Sequence, residues 1–238
     1  MKSVLITGGS RGIGAELVRK FSSEGYQVAF TYKNSAKEAQ LLAKECGAFA
    51  IKADSCCEEE VTLAVKSAID HLGKIDCLIN NAAISSFRLF VDLSLEEWQT
   101  TLDTNLTGAF LYSREALRNM ISRQSGVIIN ISSVWGLVGS SMEVHYSTTK
   151  AALIGLTKAL AKEMGPSGIR VLAIAPGVVD TDMNKCLSNE DIEALKDETP
   201  LMRVAQPSEI ADAALFLASD KASFITGEIL NVSGGFVI

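Results

Sequence analysis

Basic charge is in short supply. Across 238 residues, 28 acidic side chains outnumber 22 Lys and Arg, for a formal net charge of −6. A general nucleic-acid binder presents a basic face, so the balance argues against that class and leaves room only for a local basic patch of the kind that holds a phosphorylated small molecule. Long apolar runs are missing too: nothing approaches the roughly 18 consecutive apolar residues of a membrane span. The two histidines and five cysteines fall into no cluster with metal-ligand spacing, so no metal site is expected. The cysteine count is odd and Cys56 and Cys57 are adjacent, which suits reduced thiols in a cytoplasmic protein better than a disulfide framework. There is no linker, low-complexity tract or internal repeat. The opening MKSVLITGG runs from one lysine through a short apolar stretch straight into glycines, the pattern of a first strand rather than of a signal peptide.

What the chain does have is alternation. Short apolar, β-rich runs (SVLIT, QVAFTY, AFAIKA, DCLIN, GVIINIS, IRVLAIA, EILNVS) are separated by amphipathic stretches such as GAELVRKFSSEG and AALIGLTKALAKEMG, where Leu153, Leu156, Leu160 and Met164 recur at helical spacing. Ser94 with Glu97 has the form of a capping box, and Pro207 stands at a first-turn position before SEIADAALFLA. Near-continuous hydrophobic strands alternating with helices predict an α/β protein: a Rossmann-like, doubly wound parallel sheet of about seven strands with helices on both faces. The pattern fits one dinucleotide-binding domain over residues 1–238, with ligands beyond the carboxyl ends of the strands.

ITGGSRGIGAELV follows the first strand and opens the first helix. Gly8 permits a tight turn, Gly12 lets backbone approach a pyrophosphate, and Gly14 allows close packing of helix on sheet, with the helix N-terminus facing the phosphates. The end of the second strand bears on which dinucleotide is bound. An NAD-selective site commonly carries an acidic residue there; this chain has Tyr32 followed by Lys33, and Arg11 in the glycine loop reaches the same side. Two cations and no carboxylate suit a 2′-phosphate, so the expected cofactor is NADP(H).

In VHYSTTKAAL, Tyr146 and Lys150 are one helical turn apart and share a face. A nearby ammonium favours the phenolate and lowers a tyrosine pKa, which would let the phenol exchange a proton with a carbonyl or alcohol oxygen. Ser133, 13 residues earlier at the end of NISS, is placed to hold that oxygen. His145 is turned away from its neighbour Tyr146 on a helix, which suggests a place at the substrate mouth or on the surface.

TGGSRGIG, NNAA, TNLTGAF, NISS, YSTTK and APGVVDTDM follow one another at spacings that together resemble the short-chain dehydrogenase/reductase family over essentially the whole chain. The resemblance implies that Ser133 polarises the substrate carbonyl, Tyr146 is the acid or base, and Lys150 tunes the phenol and holds the nicotinamide ribose. It implies that Asn105 anchors a proton-relaying water, Asn81 and Ala82 line the cofactor cleft, Asp54 meets the adenine, and Gly177 and Thr181 border the nicotinamide. It adds Ser10 and Ile13 in the glycine loop and Pro176 and Val179 after the sixth strand to the cofactor-binding set. Family members assemble as homodimers or homotetramers.

Within the family, TDM and FLASDKASFITGEILNVSGG are most similar to bacterial 3-oxoacyl-[acyl-carrier-protein] reductases, which implies a carbonyl substrate carried on acyl carrier protein or coenzyme A. The chain departs from that pattern at Ala83, in ISSFRLF and in MEVHY. A β-keto thioester, a small ketone and a hydroxysteroid each fit, and a non-catalytic NADP(H)-binding sensor uses the same fold. Residues 184–204 are the least regular stretch and are expected to form a lid in which Leu187, Ile192, Leu195, Leu201 and Met202 cover an apolar substrate.

Overall fold

The computed structural model describes residues 1–184 and 188–237; Cys186 and the lid residue Leu187 lie outside the described residues. The strands are β1 (Ser3–Ile6), β2 (Gln27–Tyr32), β3 (Phe49–Lys52), β4 (Cys77–Asn80), β5 (Gly126–Ile131), β6 (Ile169–Pro176) and β7 (Ile229–Val232). They form one parallel sheet in the order β3-β2-β1-β4-β5-β6-β7. Each apolar run singled out in the sequence is a strand. The helices are α1 (Gly12–Ser23), α2 (Ala36–Cys46), α3 (Glu58–Leu72), α4 (Leu95–Leu102), α5 (Gly108–Arg123), α6 (Trp135–Val138), α7 (Val144–Met164), α8 (Asn189–Asp197) and α9 (Pro207–Ala218).

Successive strand residues point to opposite faces, and both faces are apolar. Val4, Ile6, Phe30 and Ile79 pack with α1 and α9 on one side, while Leu5, Ala29, Leu78 and Ile128 pack with α3 and α5 on the other. The chain winds outward from β1 through β2 to β3, then returns to β4 on the other side of β1. That reversal leaves a crevice beyond the carboxyl ends of β1 and β4, where ligands of this architecture bind.

A buried polar chain fixes one helix against that crevice. Register pairs Asn80 with Asn130. Asn80 Nδ2 donates to Asn130 Oδ1 (2.8 Å) and Ser113 Oγ (2.9 Å), and Asn130 Nδ2 donates to Thr157 Oγ1 of α7 (2.8 Å). Four elements are thus joined by side chains whose loss would leave buried polar atoms unpaired.

The expected caps are present: Ser94 and Glu97 form a capping box on α4, and Pro207 opens α9. The structure corrects the expectation of irregularity at 184–204. A second capping box, Ser188 with Asp191, starts the helix α8 there. Between α4 and α5, residues Asp103–Thr107 widen into a π-type turn that holds Asn105, a distortion frequent at functional sites.

Candidate active site

A cavity of about 880 Å³ opens over the crevice, at the upper end of the range for small-molecule and cofactor sites. Every cofactor-binding residue expected from the sequence lines it, together with Ser133, Tyr146 and Lys150; Asn105 does not, and sits behind the wall at 1% exposure.

The glycine loop forms the cavity's first edge. Gly12 has φ of +53°, and a side chain there would meet only Thr181 at 3.5 Å, so the backbone faces open space. Gly14 is the opposite case: a Cβ would lie 2.1 Å from Gly8 O, because α1 packs directly on the end of β1. Ala15 N bonds back to Arg11 O (3.1 Å), and the earlier first-turn amides have no intrahelical partner. The loop is held from behind by Asn81, whose Nδ2 donates to Thr7 O and Gly8 O (3.0 and 3.1 Å), and by Thr7 Oγ1, which accepts from Asn81 N and Ala82 N.

At the end of β2 the two expected cations differ. Lys33 Nζ pairs with Asp54 Oδ2 at 2.6 Å. Burial alone would raise the Asp54 carboxyl, but Lys33 and the Cys56 N–H hold it below its ordinary value, and the bond to Asp54 raises Lys33. Asp54 Oδ1 accepts from Cys56 N (3.0 Å) in a turn ahead of α3. Arg11 is exposed, lines the cavity and has no side-chain partner among the described residues. Asn34 and Ser35, missed in the sequence, line the same corner; they follow Lys33 directly, so the stretch YKNS carried the signal. An uncommitted guanidinium, two short polar side chains and unbonded helix amides suit a phosphorylated dinucleotide.

The other end of the cavity lies where β5 meets α7. Ser132 and Ser133 part company there. Ser132 Oγ donates to Lys150 O (2.8 Å), tying strand to helix, whereas Ser133 Oγ accepts from Trp135 N (3.1 Å) and favours the ionised form of the Tyr146 phenol. Gly136 makes the close approach possible, since a Cβ would lie 2.7 Å from the Lys150 carbonyl carbon. Lys150 Nζ donates to Ile131 O (2.7 Å) and lies 5.4 Å from the Tyr146 ring centroid.

Here the structure reverses one expectation. Burial pushes the Tyr146 phenol above its usual range, with Glu143 adding to the rise and Ser133 opposing it. Burial also brings Lys150 down to about 7. Removing both groups from water outweighs the ammonium's pull on the phenol, because desolvation disfavours the charged form of each. The consequence at pH 7 is a protonated phenol.

Asn105 acts on backbone. Its Oδ1 accepts from Ile84 N (2.8 Å), and its Nδ2 donates to Ile84 O (2.9 Å) and Thr149 Oγ1 (3.2 Å), which pins the loop after β4 to α7. That loop lines the cavity. Ser85 Oγ donates to Glu143 Oε1 (2.5 Å), Ser86 Oγ bonds His145 Nε2 (3.0 Å), and Arg88 N donates to Met142 O (2.8 Å). Met142 adopts φ of +62°, an uncommon conformation for a residue with a long side chain.

His145 is therefore not a surface residue: it is fully buried. The start of α7 is covered by the π-type turn and the 84–88 loop, so the face opposite Tyr146 is interior as well. Burial lowers the His145 pKa, against the pull of Glu143 and Glu97. Of the expected lid side chains, Leu195 lines the cavity, whereas Leu201 and Met202 are exposed and Leu201 borders a separate small hollow.

Comparison with known proteins agrees with this geometry. A family model described as Enoyl-(Acyl carrier protein) reductase matches residues 8–237. The chain is 41% identical to the 3-oxoacyl-[acyl-carrier-protein] reductase FabG of Staphylococcus aureus over 98% of this chain and 97% of that one. It is 42% identical to the protein of the same name from Aquifex aeolicus, over 98% and 96%. A doubly substituted short-chain dehydrogenase/reductase of Serratia marcescens superposes with a TM-score of 0.92 at 37% identity, covering 99% of this chain and 97% of that one. With its parallel sheet, glycine loop and buried Ser133, Tyr146 and Lys150, the chain belongs to the short-chain dehydrogenase/reductase family and is an oxidoreductase acting on a keto or hydroxyl group.

Proposed function

We propose that the protein is an NADPH-dependent reductase of 3-oxoacyl thioesters, presented on acyl carrier protein or coenzyme A, acting in the cytoplasm. The observation that carries the reading is the meeting of Ser133, Tyr146 and Lys150 at the end of a cavity whose other end is the glycine loop. The names of relatives 41–42% identical over nearly the full chain support the substrate class.

The first-turn amides of α1 would hold the pyrophosphate, and Arg11, Lys33, Asn34 and Ser35 the 2′-phosphate. When bound, NADPH supplies a hydride to the carbonyl carbon. The Ser133 hydroxyl holds the substrate oxygen, and Tyr146 gives that oxygen its proton, so that the ketone becomes a secondary alcohol. Burial keeps the Tyr146 phenol protonated beforehand, which suits reduction. The phenolate left behind is favoured by an ammonium at Lys150 and regains its proton from solvent. Asn105 positions the loop after β4 through Ile84.

In the same reading, residues 184–204 form a lid on a single domain and exclude water on closing, with Leu195 as its cavity-facing side chain. Exposed apolar side chains on and near α4 and α5, including Leu95 and Phe110, support a homodimer or homotetramer. The test is turnover of acetoacetyl-coenzyme A with NADPH, beside NADH and a bulky cyclic ketone. Thioester turnover with NADPH is the expected result. Turnover of the cyclic ketone alone would replace the substrate class, and a preference for NADH would remove the roles of Arg11 and Lys33.

A further inference from the structure

Glu143 takes no part in the chemistry above. It occupies the N-cap position of α7, but its side chain does not cap the helix. It is 6% exposed, lines the cavity three residues before Tyr146, and bears electrostatically on that phenol. Its described partners are hydroxyls, Ser85 Oγ on one oxygen and Ser140 Oγ on the other (2.5 and 3.4 Å). The adjacent His145 brings no compensating charge, because burial holds its ring neutral at pH 7. Lys150 is committed to Ile131 O behind the tyrosine.

Two hydroxyl donors leave acceptor capacity on a group with about four lone-pair sites. The same cavity is lined by the apolar side chains of Phe87, Trp135 and Leu195 and by the hydroxyls of Ser85 and Ser140. A like charge brought into such surroundings is strongly disfavoured, whereas a neutral group or an N–H or O–H donor meets no repulsion.

We propose that Glu143 is a specificity-determining residue: it admits ketones whose neighbouring group is neutral or donates a hydrogen bond, and turns away ketones whose neighbouring group is anionic. Thioesters, esters and amides of 3-oxo acids pass, and the free 3-oxo carboxylates do not. The inference deepens the reductase reading and rests on it for the placement of the substrate.

The test measures binding of methyl 3-oxobutanoate and of 3-oxobutanoate to the complex with NADP⁺, which does not turn a ketone over. The wild-type protein should bind the ester at least about 30-fold more tightly than the acid anion. Glu143→Gln, which keeps the shape and removes the charge, should narrow that ratio by about tenfold or more, chiefly by improving the anion. Glu143→Ala should narrow it likewise, and melting curves with NADP⁺ titration show which variants are folded. Equal wild-type affinity for the two ligands overturns the proposal, as does a ratio unchanged in the folded variants. Turnover of the ester with NADPH is read separately: a protein that shows the binding ratio without turnover keeps the charge selection and loses the reductase assignment.

Discussion

The nucleotide end and the substrate end of the cavity are built differently. The nucleotide end is assembled from neighbours in sequence: a strand, a five-residue glycine-rich turn (7–11) and a helix mouth, braced by Thr7 and Asn81 through mostly backbone contacts. The substrate end is assembled across the chain, by Ser85 on Glu143, Ser86 on His145 and Asn105 on Ile84. A backbone-built site suits one kind of ligand, such as the phosphates of a dinucleotide. A side-chain-built wall changes its selectivity with a single substitution.

The comparison predicts that damage to the nucleotide end is severe and indiscriminate. Gly14→Ala forces a Cβ against the Gly8 carbonyl, 2.1 Å away, and the backbone must shift. Overpacking of this kind costs about 1–3 kcal/mol. A fall in melting temperature together with lost NADPH binding is the expected outcome, and unchanged binding would break the account of the glycine loop.

Arg11→Ala and Lys33→Ala sharpen the same end. Charge-assisted bonds to a phosphate are worth about 10–100-fold in affinity. Arg11, with no described partner, should lose most of that for NADPH while NADH binding is unchanged. Lys33 should lose less, since Asp54 already holds it at 2.6 Å. Fluorescence titration with both dinucleotides ranks the two; the reverse ranking would move the 2′-phosphate toward β2.

At the substrate end, Asn105→Ala leaves Ile84 N and O without their side-chain partner. Unpairing buried groups costs about 1–3 kcal/mol. Lower stability with weaker substrate affinity and unchanged NADPH affinity is expected, and a parallel loss of NADPH affinity would contradict the division between the ends.

A further effect is a slope rather than a loss. Lys150 titrates near 7 folded, against 10.5 as its ordinary value. Between those values the unfolded chain binds the proton and the folded chain does not, so stability rises with pH across that window and the destabilisation is complete below about 7. Lys150→Met should flatten the melting temperature against pH from about 7 to 10.5, and an unchanged slope would mean that burial does not depress this lysine.

The same division explains what the sequence made legible. Strand runs, the Ser94–Glu97 box and the glycine loop are local patterns, and each stands where it was expected. Glu143 gave no local signal, because its partner Ser85 is 58 residues away and a carboxylate at a helix start is an ordinary cap. His145 was misplaced because turning away from Tyr146 does not mean turning toward water when a second layer covers the helix. The direction of the Tyr146 shift depended on burial, which a helical spacing does not report.

The central claim is that Tyr146 is the proton donor of a ketone reduction. Its most direct test compares wild-type protein with Tyr146→Phe, following NADPH oxidation with acetoacetyl-coenzyme A and NADPH affinity on the same samples. A loss of turnover of about 10²–10⁴-fold with NADPH affinity unchanged is the predicted result. A variant that keeps most of its turnover would contradict the account.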